Sequence, residues 1–170
     1  MNSPAPQATP SLMLQEALSA ADCIAHQLTQ DVERYAELGA KLRATPLHSA
    51  VTVARGSSDH ASNYLAYLIM ARMGRLVTSL PMSLITLYKS PIIARDTLAI
   101  AISQSGQSTD VVEPMQYFRA GGAVTVALVN DAASPLAEAA EWTMPLHAGK
   151  EHSVAATKSF IASLVAGARL

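Results

Sequence analysis

TLAIAISQSGQSTD, from Thr97 to Asp110, is the stretch on which the fold turns. Leu98, Ala99, Ile100, Ala101 and Ile102 are apolar at consecutive rather than alternate positions. A strand with one wet face alternates, whereas a continuous apolar run fits a strand covered on both faces, the environment of a parallel sheet between helical layers. At Ser103 the chemistry changes at once. Ser103, Gln104, Ser105, Gly106, Gln107 and Ser108 place three hydroxyls, amide side chains and a glycine in six positions, and Thr109 and Asp110 then open a helical segment. A helix start needs one capping side chain. This loop supplies more than that.

Working outward, the same alternation recurs. Apolar runs at Ala50 to Ala54, Leu76 to Leu80, Thr97 to Ile102, Val124 to Val129 and Trp142 to Leu146 read as strands. Helices are expected at about Asp59 to Met73, Pro81 to Tyr88, Thr109 to Ala120, Ser134 to Ala140, and from Ser153 to the end. Such a series predicts an α/β fold, a doubly wound five-stranded parallel sheet. Two helices are expected before the first strand. One is capped by Ser11 and runs to about Gln30; the other starts at Asp31 and repeats Val32, Tyr35, Leu38 and Leu42 at helical spacing. Residues 1 to 10, MNSPAPQATP, hold three prolines and no large apolar anchor beyond the initiating methionine, and are expected to be a disordered leader. The chain therefore divides into a leader (1–10), N-terminal helices (11–48) and the sheet domain (49–170).

With 170 residues, half of them apolar, the chain can bury one sizeable core. Its 12 basic and 13 acidic residues give a formal charge of -1. That balance leaves no electrostatic footprint for nucleic acid or an anionic membrane, and small metabolites remain as ligands. Cys23 is the only cysteine, so an internal disulfide is excluded and a structural zinc site disfavoured. No apolar stretch approaches the ~20 residues of a membrane span, and no secretory leader is visible. A soluble, cytoplasmic protein is expected.

In a doubly wound sheet, ligands bind beyond the carboxyl ends of the strands, where the strand order switches direction. The loops after the first and third strands are therefore the candidates. In the first, Arg55-Gly56-Ser57-Ser58-Asp59-His60, Gly56 can make the turn and Ser58 or Asp59 can cap the helix, which accounts for the loop without a ligand. The loop Ser103 to Ser108 is richer. A phosphate monoester at a helix start is held by the free N–H groups and the helix dipole, and short hydroxyl side chains complete its shell without any lysine. A third segment, Gly149-Lys150-Glu151-His152-Ser153-Val154-Ala155-Ala156-Thr157-Lys158, gathers acid-base groups just ahead of the last helix.

Taken in order, RGSSDH, ISQSGQSTD, ALVND and AGKEHSVAATKS resemble the sugar isomerase, or SIS, domain over roughly Ser49 to Leu170. The likeness is closest to proteins with two such domains in tandem: the isomerase part of glutamine-fructose-6-phosphate amidotransferase and, nearer in RGSSDHA and VAATKS, SIS-type glucosamine-6-phosphate deaminases. The resemblance implies a flavodoxin-like strand order and a hexosamine or hexose 6-phosphate ligand. Ser103, Gln104, Ser105 and Ser108 with Gly106 would hold the phosphate, and Gly56, Ser57 and Ser58 would face the ligand from the first loop. Val154 and Ala155 would present backbone to the sugar hydroxyls, and Glu151, the catalytic candidate, would lie beside the open-chain carbons. The implied reaction joins an amino-aldose phosphate and a ketose phosphate through an enediol or enolamine. It calls for a positioned base and oxyanion donors, with no metal, nicotinamide or other cofactor.

In tandem members the principal catalytic glutamate, a ring-opening histidine and a C-terminal lysine belong to the second SIS domain, and this chain ends at Leu170. Association is expected, as a homodimer or with a second SIS domain. Position 2 is Asn2 rather than the nucleophilic cysteine of a glutaminase domain, which favours the deaminase reading over the synthase. A nicotinamide dehydrogenase is disfavoured because RGSSDH is not G-x-G-x-x-G. A non-catalytic sugar-phosphate sensor is the remaining rival, though the residues before the first strand lack the basic character of a DNA reader.

Overall fold

The computed structural model describes residues 10–170, so all of the expected leader except Pro10 lies outside the described residues. Among them, three helices, α1 (Leu12–Leu18), α2 (Ala20–Thr29) and α3 (Val32–Ala44), precede β1 (Ser49–Val53). There follow α4 (Ser57–Met73), β2 (Val77–Ser79), α5 (Ser83–Thr86), β3 (Thr97–Ser103), α6 (Thr109–Ala120), β4 (Val124–Val129), α7 (Pro135–Ala139), β5 (Trp142–Pro145) and α8 (Lys158–Arg169). The strands form one parallel sheet in the order β2-β1-β3-β4-β5. This is the doubly wound parallel sheet expected from the strand runs, in the flavodoxin-like order that the resemblance implies.

The continuous apolar run of β3 serves two cores at once. Leu98, Ile100 and Ile102 face Leu65, Ala162 and Ala166 of α4 and α8. Ala99 and Ala101 face Met115 and Phe118 of α6. Small strand residues on that second face leave room for the large side chains of the covering helix, which keeps the packing dense. Each fully buried Ile or Leu contributes about 1.5–3 kcal/mol, so β3 is the spine of the fold.

The N-terminal helices belong to the first of these cores. Leu38 of α3 is buried within it, and Gln27 Nε2 of α2 donates to the Ala162 carbonyl at 3.0 Å. Arg169 returns the contact, donating to the carbonyls of Gln27 (2.7 Å) and Gln30 (2.9 Å). Its guanidinium also lies 3.9 Å above the Tyr35 ring.

Three sequence expectations need correction. The helix expected from Ser11 to Gln30 breaks at Ser19, whose hydroxyl donates to the Glu16 carbonyl at 2.8 Å, so three helices rather than two precede the sheet. The helix expected at Pro81 to Tyr88 is a single turn. The last helix begins at Lys158, not Ser153, because carboxylates hold the intervening residues out as a loop.

Candidate functional site

β1 leads to its neighbour β2 on one side of the sheet and β3 leads to β4 on the other, so the loops after β1 and β3 diverge at the switch point. Two helices open there, α4 from Gly56 and α6 from Ser108, and neither N-terminus receives a side-chain cap. Of the other helices, α1 and α7 are capped, Ser11 Oγ accepting from Leu14 N and Ser134 Oγ from Ala137 N. Helices α2, α3, α5 and α8 also lack a cap bond from their N-cap side chain, so what sets α4 and α6 apart is their place at the carboxyl ends of β1 and β3. Ser108 is in the capping position yet makes no cap bond. Among the described residues its hydroxyl and the Thr109 and Asp110 amides have no protein hydrogen bond, and at the carboxyl end of β3 such groups can hold an anion.

Ser103, at the end of β3, accepts a hydrogen bond from Gly106 N at 3.0 Å. Ser105 is exposed and takes only a long contact from Gln107 N, 3.4 Å. Gly106 has φ +64° and is buried against α7: the Leu136 amide donates to its carbonyl at 3.1 Å. Gly56 also has positive φ, +57°, in open space. Ser57 and Ser58 form the first two positions of α4, with Ser57 and Gln104 exposed at the mouth. An ion pair between Arg55 and Asp110 spans the two loops. The structure thus brings Gly56, Ser57, Ser58, Ser103, Gln104, Ser105, Gly106 and Ser108 to one end of the sheet.

Beyond β4, Asn130 fixes the next segment: its Oδ1 accepts from Ala148 N and its Nδ2 donates to the Gly149 carbonyl, both at 2.8 Å. Glu151 then turns toward α8. Its carboxylate accepts from Thr157 N (2.9 Å), Thr157 Oγ1 (2.8 Å), Ser159 N (3.4 Å) and Ser159 Oγ. Burial pushes its carboxyl up, but the bonds from Ser159 and Thr157 outweigh burial and hold it below the ordinary glutamate range. Val154 and Ala155 stand exposed on the loop between.

Sequence reasoning missed Glu16. This α1 residue is only 7% exposed, and its carboxylate accepts from His152 N (2.5 Å), Ser153 N (3.0 Å) and Ser153 Oγ. The Ser153 hydroxyl and the His152 amide hold its carboxyl at about 2. In sequence Glu16 is one carboxylate on an amphipathic helix, with no local signal of a partner so far along the chain. Away from the carboxyl ends of the strands, at the start of β5, a surface depression of about 550 Å³ is lined by Asp31, Glu33, Arg34, Glu37, Glu141 and Trp142. Four carboxylates against one guanidinium make it repulsive to an anionic ester.

Residues 45–170 match the SIS domain. The chain belongs to the SIS domain family. This SIS domain is 33% identical over 141 residues to the isomerizing glutamine–fructose-6-phosphate aminotransferase of Thermus thermophilus, an alignment covering 83% of this chain and 23% of that one. It superposes with TM-score 0.91 and 39% identity on a candidate phosphosugar isomerase of Silicibacter pomeroyi, over 94% of this chain and 49% of the other. The Vibrio vulnificus NanR protein complexed with ManNAc-6P shares the fold, with TM-score 0.76 and 19% identity over 94% of this chain and 60% of that one. The SIS domain thus spans about a quarter of the curated relative and half of the S. pomeroyi structure.

Proposed function

We propose that this SIS domain binds a hexosamine or hexose 6-phosphate and is the phosphosugar-binding part of an amino-sugar-phosphate deaminase or isomerase of the glucosamine-6-phosphate to fructose-6-phosphate type. The observation that carries the reading is the uncapped start of α6. Ser108 makes no cap bond to the first amides of α6, and Ser103, Ser105 and Gly106 lie on the loop that leads into them. A dianionic phosphate there would meet N–H donors, hydroxyls and the positive end of a 12-residue helix. The aminotransferase relative supports a second reading, the isomerase half of a glutamine–fructose-6-phosphate aminotransferase. The two share the phosphate site and the proton-transfer chemistry, and differ in where ammonia comes from or goes.

Thermal melts test the site. Glucosamine 6-phosphate at a hundredfold excess over its Kd is expected to stabilise the fold by about 2.7 kcal/mol, and unphosphorylated glucosamine not at all. Ser105→Ala is expected to weaken phosphate-ester binding by about 1–3 kcal/mol while leaving the apo melt in place, since its hydroxyl takes only the long Gln107 contact. Equal shifts with both sugars would refute a phosphate-led site.

Association rests on α4. Ala61, Leu65 and Ile69 face the core, while Tyr67 is 68% exposed beside exposed Tyr64, Met70 and Met73. That outward apolar face suits a second copy or a second SIS domain. Sedimentation across micromolar concentrations is expected to show self-association, and a clean monomer throughout would remove this face from the reading.

A further inference from the structure

The geometry points to Glu16 as a positioning residue that sets the wall of the cleft facing the sugar, so that the N-terminal helix takes part in recognising the ligand. The inference rests on the phosphosugar reading of the site. Its structural basis is independent of that reading. Between Gly149 and Thr157 the chain has no helix or strand of its own, and the two ends of this excursion are tied by two carboxylates. Glu151 gathers Thr157 and Ser159 at the start of α8. Glu16 gathers His152 and Ser153. The residues suspended between these anchors, Val154 and Ala155, are exposed and expected to meet the sugar hydroxyls.

Two consecutive backbone N–H groups and a hydroxyl aimed at one carboxylate form a small anion nest filled by the protein's own side chain. Charge-assisted bonds of this kind are about twice as strong as neutral ones. Glu16 is also held rigidly with respect to α8, because α2 follows it directly and Gln27 of α2 bonds the Ala162 carbonyl of α8 at 3.0 Å. The Ser153 hydroxyl shares its proton between Glu16 and the Ala155 carbonyl, the latter at 2.9 Å, which links the clamp to the suspended residues. With its carboxyl held at about 2, Glu16 stays ionised at every pH above the ordinary glutamate range. A residue with these contacts controls where the loop stands and touches neither the loop after β3 nor the start of α6. Its loss should damage sugar recognition and spare phosphate recognition.

The test compares the full chain with Glu16→Ala and Glu16→Gln by calorimetric titration against two probes, glucosamine 6-phosphate and inorganic phosphate. Phosphate affinity is expected to stay within about twofold of wild type, while glucosamine 6-phosphate affinity falls about tenfold or more. Gln is expected to rescue only in part, because its Oε1 can accept at one of the two oxygen positions while its NH₂ at the other faces either the His152 or the Ser153 amide donor. Unchanged glucosamine 6-phosphate affinity, or a parallel loss of both ligands, would overturn the proposal. Amide exchange at His152 and Ser153 without ligand reads the clamp alone: it should accelerate in Glu16→Gln, and unaltered exchange would refute the clamp whatever the ligand does. Should the Glu16 variants fail to fold, Ser153→Ala removes a donor and leaves α1 intact. A wild-type ratio of the two affinities in that variant would overturn the proposal. A wild-type chain that binds neither probe would overturn the phosphosugar reading itself, and this assignment with it.

Discussion

Replacing Gly106 with alanine is expected to destabilise the fold by about 2–4 kcal/mol and to abolish phosphate-ester binding, the sum of a left-handed backbone penalty and overpacking in a rigid site. Its φ is +64°, which a Cβ disfavours. The added carbon would lie 2.6 Å from Ser134 Cβ and 2.9 Å from Val129 Cγ2, and against Ser134 Oγ. Ser134 is fully buried and caps α7, so it has nowhere to retreat without exposing the Ala137 amide. The loop must therefore move, and with it Ser103, which is tied to Gly106 N at 3.0 Å. Gly56→Ala is the control: its φ is also positive but the site is open, so only the backbone cost of about 1–3 kcal/mol applies. Urea unfolding of both variants decides the matter. A Gly106→Ala chain within about 1 kcal/mol of wild type that still binds phosphate esters would show that the loop is not braced against α7 as described.

The largest effect is expected in catalysis. These 170 residues on their own should bind glucosamine 6-phosphate yet lack the ~10² to 10⁴-fold that a positioned general base supplies. The two carboxylates nearest the exposed Val154–Ala155 turn are already engaged. Glu151 accepts four hydrogen bonds from Thr157 and Ser159, and Glu16 three from His152 and Ser153. Both are held below the ordinary glutamate range, Glu16 at about 2, which makes them poor proton acceptors at neutral pH. By the resemblance to tandem SIS proteins, the main base is expected in a second domain. Steady-state assays on the purified chain measure this directly. Turnover of about 1 to 10³ per second would contradict the expectation. Glu151→Gln would then separate a catalytic Glu151, with a collapsed rate, from a helix-capping one, with about 1 kcal/mol of lost stability and an unchanged rate.

The sheet was legible because its signals are local. Leu98 to Ile102 and Val124 to Val129 are continuous apolar runs, and the β3 loop declares itself by composition. The start of the last helix was not legible. Ser153, Val154, Ala155 and Ala156 can all join a helix, and only the carboxylates of Glu16 and Glu151 keep them out of it. Ser19 fits a helix interior equally well by sequence, yet its hydroxyl bonds back to the Glu16 carbonyl and the helix breaks there. The first loop read as an ordinary turn, but its Arg55 pairs with Asp110 of α6, 55 residues away, a contact that spacing within the loop does not announce. What remained hidden was in each case a polar contact between distant or competing groups.

The clamp at Glu16 also orders events in time. The bond from Ser153 to Glu16 closes a loop of 137 residues, whereas the β3 loop is braced by Ser134 and Leu136, about thirty residues on. Closing the longer loop costs more entropy and waits on more of the chain. During synthesis Glu16 leaves the ribosome well before α8 and stands hydrated until the residues ahead of that helix arrive. A nascent chain can thus shape the β3 loop while the Glu16 clamp is still unformed. On the proposed reading, the grip on an anion is expected to form before the discrimination between sugars, which waits until the two far-separated segments have met.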